Sequence, residues 1–108
     1  MKSIMQVKDG SCYLCGILNG DYSEKYVEEH HCIYGSANRK LSERFGLKVY
    51  LCPEHHRVGK ESIHGGNTEL NLKLKQAAQV AFEKHNPKLN FREIFGVNYF
   101  YQGEFEND

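Results

Sequence analysis

The chain has 108 residues, which is the length of a single domain. Its residues are 40% hydrophobic, but no apolar run approaches the about 20 residues that a membrane span needs. Because no signal-peptide pattern follows Lys2, we expect a cytoplasmic protein with no membrane partner. The 14 Lys and Arg residues balance the 14 Asp and Glu residues, so net charge provides no overall attraction to nucleic acid.

Charge is nevertheless uneven along the chain. Between Ser36 and Lys60 the net charge is +4, whereas the segments before and after it each carry about −2. On charge alone, an ordinary solvated surface explains this pattern. The basic segment also coincides with the candidate metal sites described below, which favours binding to phosphate groups.

The first motif is the Cys-x-x-Cys pair formed by Cys12 and Cys15. It is typical of a zinc knuckle, in which a turn directs both thiolates at one ion and Gly16 tolerates a left-handed backbone. A redox dithiol is the alternative, but that motif usually opens a helix in a βαβ context that this sequence lacks. We expect residues 17–25 to form a turn, because Asn19-Gly20 is a strong hairpin signal.

A strand, a helix and a second strand are predicted next. β-branched and aromatic residues indicate a strand over residues 26–34. Neighbouring strand residues face opposite sides, so His30 and His31 point apart unless the strand bulges or ends there. Ser36 as N-cap and Gly46 as C-terminal stop predict a helix over residues 37–45, and a second strand follows over residues 47–51.

Residues 51–56, Leu-Cys-Pro-Glu-His-His, combine metal ligands with a helix start. Pro53 suits the first position of a helix, which we expect to run to about residue 59. Cys52 and His55 form a Cys-x-x-His pair. His55 and His56 occupy adjacent helical positions about 100° apart, so each can serve a different site.

The longest helix is predicted from a cap at Asn67 or Thr68 to about His85. Its apolar residues share one face: Leu70, Leu74, Ala77, Ala78 and Ala81, with Phe82 at its edge. Asn90 followed by Glu93 resembles a capping arrangement for a short helix over residues 91–95, closed by Gly96. Residues 99–108 are aromatic and then acidic, and they indicate no function.

Three thiols and one imidazole form a candidate structural zinc site. Cys12, Cys15, Cys52 and His55 supply four ligands for a closed tetrahedral site, with Cys32 as the alternative fourth ligand. Metal binding is favoured over two disulfides because the sequence has no secretory signal and shows zinc-type spacing.

A second metal site is predicted from histidines at the end of the first strand and the start of the following helix. His30, His31 and His56 can lie together across a strand–strand–helix unit. The alternative is that they are unrelated surface histidines. Two His-His pairs flanking the same predicted unit favour a site.

In this order, the motifs resemble those of the HNH endonucleases, which are small nucleases built on a ββα-metal finger (the His-Me finger). The shared motifs are Cys-x-x-Cys, Glu-Glu-His-His, an Asn and Leu-Cys-x-x-His-His, over residues 12–64. The resemblance looks nearest to small phage and prophage members. It implies an α+β fold class: a single domain over residues 1–108, with a zinc-stapled ββα core over about 12–64 and a helical extension over about 67–96.

The resemblance also implies individual roles. His31 would be the general base that activates water, and Asn38 would orient it through its backbone contacts. His30 and His56 would bind the catalytic divalent cation. His64 would be a third ligand or a phosphate contact, with an exposed histidine as the alternative.

These roles fit the chemistry of phosphodiester hydrolysis. Histidine supplies a base with a near-neutral pKa, and a cation stabilises the charge on the phosphorane and the leaving oxygen. Imidazole ligands suit Mn²⁺, Ni²⁺ or Zn²⁺, and open oxygen positions can also admit Mg²⁺. The backbone phosphates would be held by basic side chains: Arg39, Lys40, Arg44, Arg57 and Lys60.

The sequence therefore predicts a metal-dependent DNA endonuclease with a structural zinc ion and low sequence specificity. RNA is the alternative substrate, and the oligomeric state is left open. The competing hypothesis is a non-catalytic zinc-binding module that binds nucleic acid or a protein partner. Such a module needs the four zinc ligands but has no use for His31.

Overall fold

A computed structural model describes residues 1–100 of the chain, which form an α+β structure. The elements in chain order are α1 (Tyr13–Asn19), β1 (Glu28–His31), α2 (Ser36–Phe45), β2 (Lys48–Leu51), α3 (Pro53–His56), α4 (Thr68–His85) and α5 (Phe91–Phe95). None of these helices combines the length and apolar character needed to cross a membrane.

The two strands form an antiparallel sheet with α2 in the connection between them. His30 pairs with Val49 and His31 pairs with Lys48. β1 is shorter than the predicted nine-residue strand. It ends before Ile33 because the backbone of Ile33 bonds to α2: its N–H donates to the Ser42 hydroxyl, which donates to its carbonyl at 2.6 Å.

The hairpin predicted at Asn19-Gly20 is wrong, because these residues end a helix instead. Cys12 is the N-cap of α1, with its sulfur accepting from the N–H of Cys15, and Gly20 closes the helix in a left-handed conformation at φ 66°. Gly16 lies within this helix and has no positive φ. The same Asn-Gly chemistry that favours a hairpin turn also favours a helix C-cap, which explains the error.

Helix α3 ends at His56, three residues before the predicted end. The carbonyls of His55 and His56 accept hydrogen bonds from the N–H groups of Ile63 and His64 at 2.8 and 3.0 Å. Residues 57–64 thus fold back against α3 rather than extend it. This local pairing brings His64 beside His56.

Helix α4 has the predicted bounds, and the Asn67 side chain caps it by accepting from the N–H of Leu70. Its buried face contains Leu74, Ala78, Gln79 and Phe82. Phe82 is fully buried at the centre of an aromatic core, not at the edge of the apolar face. Its ring lies 5.0–5.8 Å from three other rings, those of Phe45, Phe91 and Phe95.

The short helix α5 has the predicted bounds, its predicted cap at Asn90 and its predicted stop at Gly96. It supplies Phe91 and Phe95 to the aromatic core. Of the segment for which the sequence indicates no function, residues 101–108 lie outside the described part of the chain.

Candidate metal centres

Cys12, Cys15, Cys52 and His55 lie close together and could hold a metal ion such as zinc. The His55 Nδ1 atom lies 3.6, 3.5 and 3.4 Å from the sulfurs of Cys12, Cys15 and Cys52, and the last two sulfurs are 3.8 Å apart. Around a tetrahedral zinc with Zn–S bonds of about 2.3 Å and a Zn–N bond of about 2.0 Å, these separations are expected to be about 3.5 and 3.8 Å. This cysteine–histidine cluster therefore fits zinc.

Short segments at the starts of two helices position these ligands. Cys12 and Cys15 lie at the start of α1, while Cys52 precedes α3 and His55 lies within it. Burial opposes ionisation of the Cys12 thiol, but hydrogen bonds from the N–H groups of Cys52 and Cys15 outweigh it and lower the pKa of Cys12 to about 7. Burial raises the pKa of Cys15 and raises that of Cys52 to about 12, so Cys12 is the cysteine of this cluster whose surroundings favour the metal-binding thiolate.

The alternative ligand Cys32 lies outside this cluster. It is fully buried, and its thiol contacts the sulfur of Met5 at 3.7 Å. Burial raises the pKa of Cys32 to about 12. The fourth member of the cluster is thus His55.

A second group, the histidine cluster, contains His30, His56 and His64. One ring nitrogen from each lies within 4.8 Å of the others, and the ring centroids are 4.8–5.2 Å apart. A cavity of about 280 Å³ opens at this cluster, and His31 also lines it.

His30 has an unusual environment within this cluster. Its Nε2 atom is buried and lacks a hydrogen-bond partner within residues 1–100, which is rare for a buried polar atom. Burial, followed by repulsion from His56 and His64, lowers the pKa of His30 to about 3. A neutral imidazole with an unsatisfied ring nitrogen is suited to bind a metal ion.

The orientation of His56 is set by a carboxylate. Its Nδ1 atom lies 2.8 Å from Glu28 Oε1, and Arg57 in turn donates to both oxygens of Glu28 at 2.9–3.1 Å. These bonds, led by that from Arg57, lower the pKa of Glu28 to about 2. An ionised Glu28 accepts a hydrogen bond from the Nδ1–H of His56. The Nε2 atom of His56 is then the nitrogen available to a cation, an arrangement common among metal-binding histidines.

β1 ends at His31, and the side chain of His31 lines the same cavity as that of His30. Its Nε2 atom lies 2.8 Å from Glu43 Oε1 on α2. Lys48 on β2 donates to both oxygens of Glu43 at 3.1 Å. The hydrogen bond with His31, ahead of those with the N-terminal ammonium and Lys48, lowers the pKa of Glu43 to about 2.

Two predicted roles meet different surroundings in the structure. The Asn38 side chain donates to the carbonyl of Phe95 at 3.3 Å and so binds α5 instead of the surroundings of His31. Arg57 forms an ion pair with Glu28, so its guanidinium is less available to a phosphate group than expected from the sequence. The other predicted phosphate contacts have exposed side chains: Arg39, Lys40, Arg44 and Lys60.

Four residues near the histidines were not identified from the sequence: Glu28, Tyr34, Glu43 and Lys75. Glu28 shares a strand face with His30, so strand alternation provided a signal for it. Tyr34 lies 5.5 and 5.8 Å from the rings of His64 and His30, and Lys75 on α4 lies 4.9 Å from the Tyr34 ring centre. No sequence signal connects α4 with this cavity.

Comparisons with protein families, with curated proteins and with solved structures found no match for this chain. Function must therefore be argued from the geometry of the two clusters.

Proposed function

We propose that this protein is a metal-dependent endonuclease of the HNH type that hydrolyses DNA phosphodiester bonds. The observation that carries the proposal is the convergence of His30, His56 and His64 in one cavity beside His31. Two antiparallel strands, connected through α2, are followed directly by α3, and this supports the proposal because a ββα-metal finger contains two antiparallel strands followed by a helix. The phage or prophage origin suggested by the motifs belongs to the same proposal.

The histidine cluster would hold one divalent cation and leave the rest of its coordination sphere to oxygen ligands. Such a cation, Mg²⁺, Mn²⁺, Ni²⁺ or Zn²⁺, supplies positive charge to the phosphate oxygens in the transition state. His31 takes the proton of the attacking water as its oxygen bonds to phosphorus, while the bond from phosphorus to the 3′ oxygen breaks. The leaving 3′ oxygen is protonated from solvent.

Substrate binding would rely on the phosphate backbone. Arg39 borders the histidine cavity, and Lys40 and Arg44 continue along α2 with exposed side chains. Contacts of this kind position a nucleic acid without reading its bases, so we expect low sequence specificity. Tyr34 also lines the cavity, and Lys75 lies 4.9 Å from the ring centre of Tyr34 and 5.5 Å from that of Tyr99, which adds basic and aromatic surface next to Tyr34.

A plasmid-nicking assay with added Mn²⁺ or Mg²⁺ tests the proposal. We expect the parent to nick supercoiled DNA and His31→Ala to lose about 10²- to 10⁴-fold in rate, the usual contribution of a general base. His85→Ala is the matched control, because His85 is exposed at the end of α4, away from the cavity. This control should nick DNA at the parent rate.

The competing function is a zinc-binding module without catalysis. Equal nicking by the parent and His31→Ala, or no nicking by either with any of the four cations, would support that module and reject the nuclease. RNA is tested in parallel with a single-stranded and a duplex substrate. Metal analysis of the purified protein should give one tightly held zinc per chain and one exchangeable cation.

A further inference from the structure

A polar network surrounds the Nε2 atom of His31. His31 is 8% exposed, and its Nε2 atom is 2.8 Å from Glu43 Oε1 and 3.8 Å from Glu29 Oε1. Lys48 lies 3.1 Å from Glu43 and 3.3 Å from Glu29, and the Met1 ammonium lies 3.0 Å from Glu43. The members thus come from β1, α2, β2 and the first residue of the chain.

This network could be mistaken for a third cation site, because Glu29, His31 and Glu43 bring potential ligand atoms together. The Lys48 ammonium makes a bound metal ion unfavourable among these three residues. It already contacts both carboxylates, and its buried side chain is 7% exposed. A metal ion placed among the same oxygens would be repelled by this fixed positive charge.

The geometry instead constrains the protonation of the His31 ring. The Glu43 carboxylate has no proton to donate, so its short contact with His31 requires a proton on Nε2. In a neutral ring this is the only ring proton. Nδ1 is then the ring nitrogen that carries the lone pair. Lys48 holds the Glu43 carboxylate in place, because the Lys48 ammonium donates to both carboxylate oxygens.

We propose that Glu43 is the positioning residue for His31, holding the proton on Nε2 so that Nδ1 accepts the proton of the attacking water. This assignment rests on the proposed nuclease function. Asn38 was expected to orient the base through its backbone contacts; its backbone lies within α2, and its side chain is bound to α5. Glu43 supplies the orientation from a different position of the same helix.

Two substitutions at Glu43 test this role. Glu43→Ala removes the acceptor, and Glu43→Gln keeps the side-chain size but offers an N–H that can hold the opposite tautomer. We expect both to lower kcat for plasmid nicking by about 10- to 100-fold, as loss of an orienting partner typically does. KM for DNA and the affinity of the histidine cluster for Mn²⁺ should stay at the parent values.

The nitrogen chemical shifts of the histidine rings give a readout that does not depend on activity. At about pH 8, where an ordinary imidazole is neutral, the His31 ring of the parent should be protonated at Nε2. In Glu43→Gln, which should fold like the parent, the signal should move toward protonation at Nδ1 or an average of both forms. Glu69→Ala is the matched control, because Glu69 is an exposed carboxylate at the start of α4 that has no contact with His31, Glu43 or Lys48 among the contacts of the described residues; it should retain the Nε2 tautomer and the parent kcat.

The possible failures are distinct. If the parent nicks DNA and both Glu43 variants retain its kcat and tautomer, the role of Glu43 is rejected while the nuclease proposal stands. If the parent shows no nicking, the proposed function and a catalytic role for Glu43 fall together. If Mn²⁺ affinity falls together with kcat, Glu43 supports the metal site rather than the base, and the proposal is also rejected.

Discussion

The contact between Glu28 and His56 links a carboxylate on β1 to a candidate metal ligand on α3. Such contacts fix the tautomer and direction of the ring, and their loss commonly lowers metal affinity about 10- to 100-fold. We therefore expect Glu28→Ala to weaken Mn²⁺ binding by this factor, as measured by titration calorimetry. Glu54→Ala is the control, because Glu54 is an exposed carboxylate on α3, the helix that carries His56. This variant should bind Mn²⁺ like the parent.

An unchanged Mn²⁺ affinity in Glu28→Ala would show that His56 needs no orientation by Glu28. The zinc content of both variants should equal that of the parent, because Glu28 has no contact with the cysteine–histidine cluster among the contacts of the described residues. This comparison separates an effect on the exchangeable cation from damage to the fold.

Residue spacing predicted the members of the cysteine–histidine cluster, whereas it grouped His30 and His56 with His31, and neither pattern identified the carboxylates beside the histidines. Cys-x-x-Cys and Cys-x-x-His spacings identify metal ligands because each pair fits on one turn. Glu43 lies 12 residues after His31 in a helix, and its contact with the ring depends on how α2 packs against the sheet. Asn38 was assigned from motif order, which carries no information about the direction of its side chain.

At the scale of elements, the connection from α3 to α4 positions His64. The Asn67 side chain has two roles here: its oxygen accepts from the N–H of Leu70 at the start of α4, and its Nδ2 donates to the carbonyl of Glu61 at 3.0 Å. The cap therefore also attaches the segment that carries His64 to the longest helix. Loss of an N-cap side chain typically costs about 1 kcal/mol of stability.

We expect Asn67→Ala to lower the free energy of unfolding by about 1 kcal/mol, measured by urea denaturation. Asn67→Asp keeps the capping oxygen and loses the donor to Glu61, so it should retain most of that stability. If the two variants lose equal stability, the contact with Glu61 rather than the helix cap is the stabilising interaction.

The element boundaries show where sequence patterns suffice. Gly46, Asn67, Asn90 and Gly96 predicted helix ends correctly because capping is a local interaction of backbone and side chain. β1 and α3 ended earlier than predicted. Their ends are set by hydrogen bonds to distant segments, from Ser42 to Ile33 and from residues 63–64 to α3, which periodicity does not reveal.

At the scale of the whole molecule, the cysteine–histidine cluster joins distant parts of the chain. Cys15 and Cys52 are separated by 37 positions, and their sulfurs are 3.8 Å apart. A metal ion bound there would connect α1 to the end of β2 and the start of α3, which also carries His56. Because unfolded chains lack a preformed site, the free energy of metal binding would add directly to the stability of the fold.

Substitution of single cysteines tests this link. Reconstitution with Co²⁺ gives a thiolate-to-cobalt absorption band that reports sulfur ligands and is insensitive to the histidine cluster. We expect Cys52→Ala to lose most of this band and to melt at a lower temperature, whereas Cys32→Ala should keep the band because Cys32 lies outside the cluster. An unchanged band in Cys52→Ala would contradict the ligand set.

Removal of zinc from the parent should have the same effect as loss of a ligand. A strong chelator should lower the melting temperature and abolish nicking, since His56 is held on the same short helix as the candidate zinc ligand His55. Adding Zn²⁺ should restore both properties, and Mg²⁺ alone should restore neither, because it binds thiolates poorly. If the chelated protein keeps its melting temperature and regains full nicking with Mg²⁺ alone, the cysteine–histidine cluster has no structural role and the histidine cavity is stable without it.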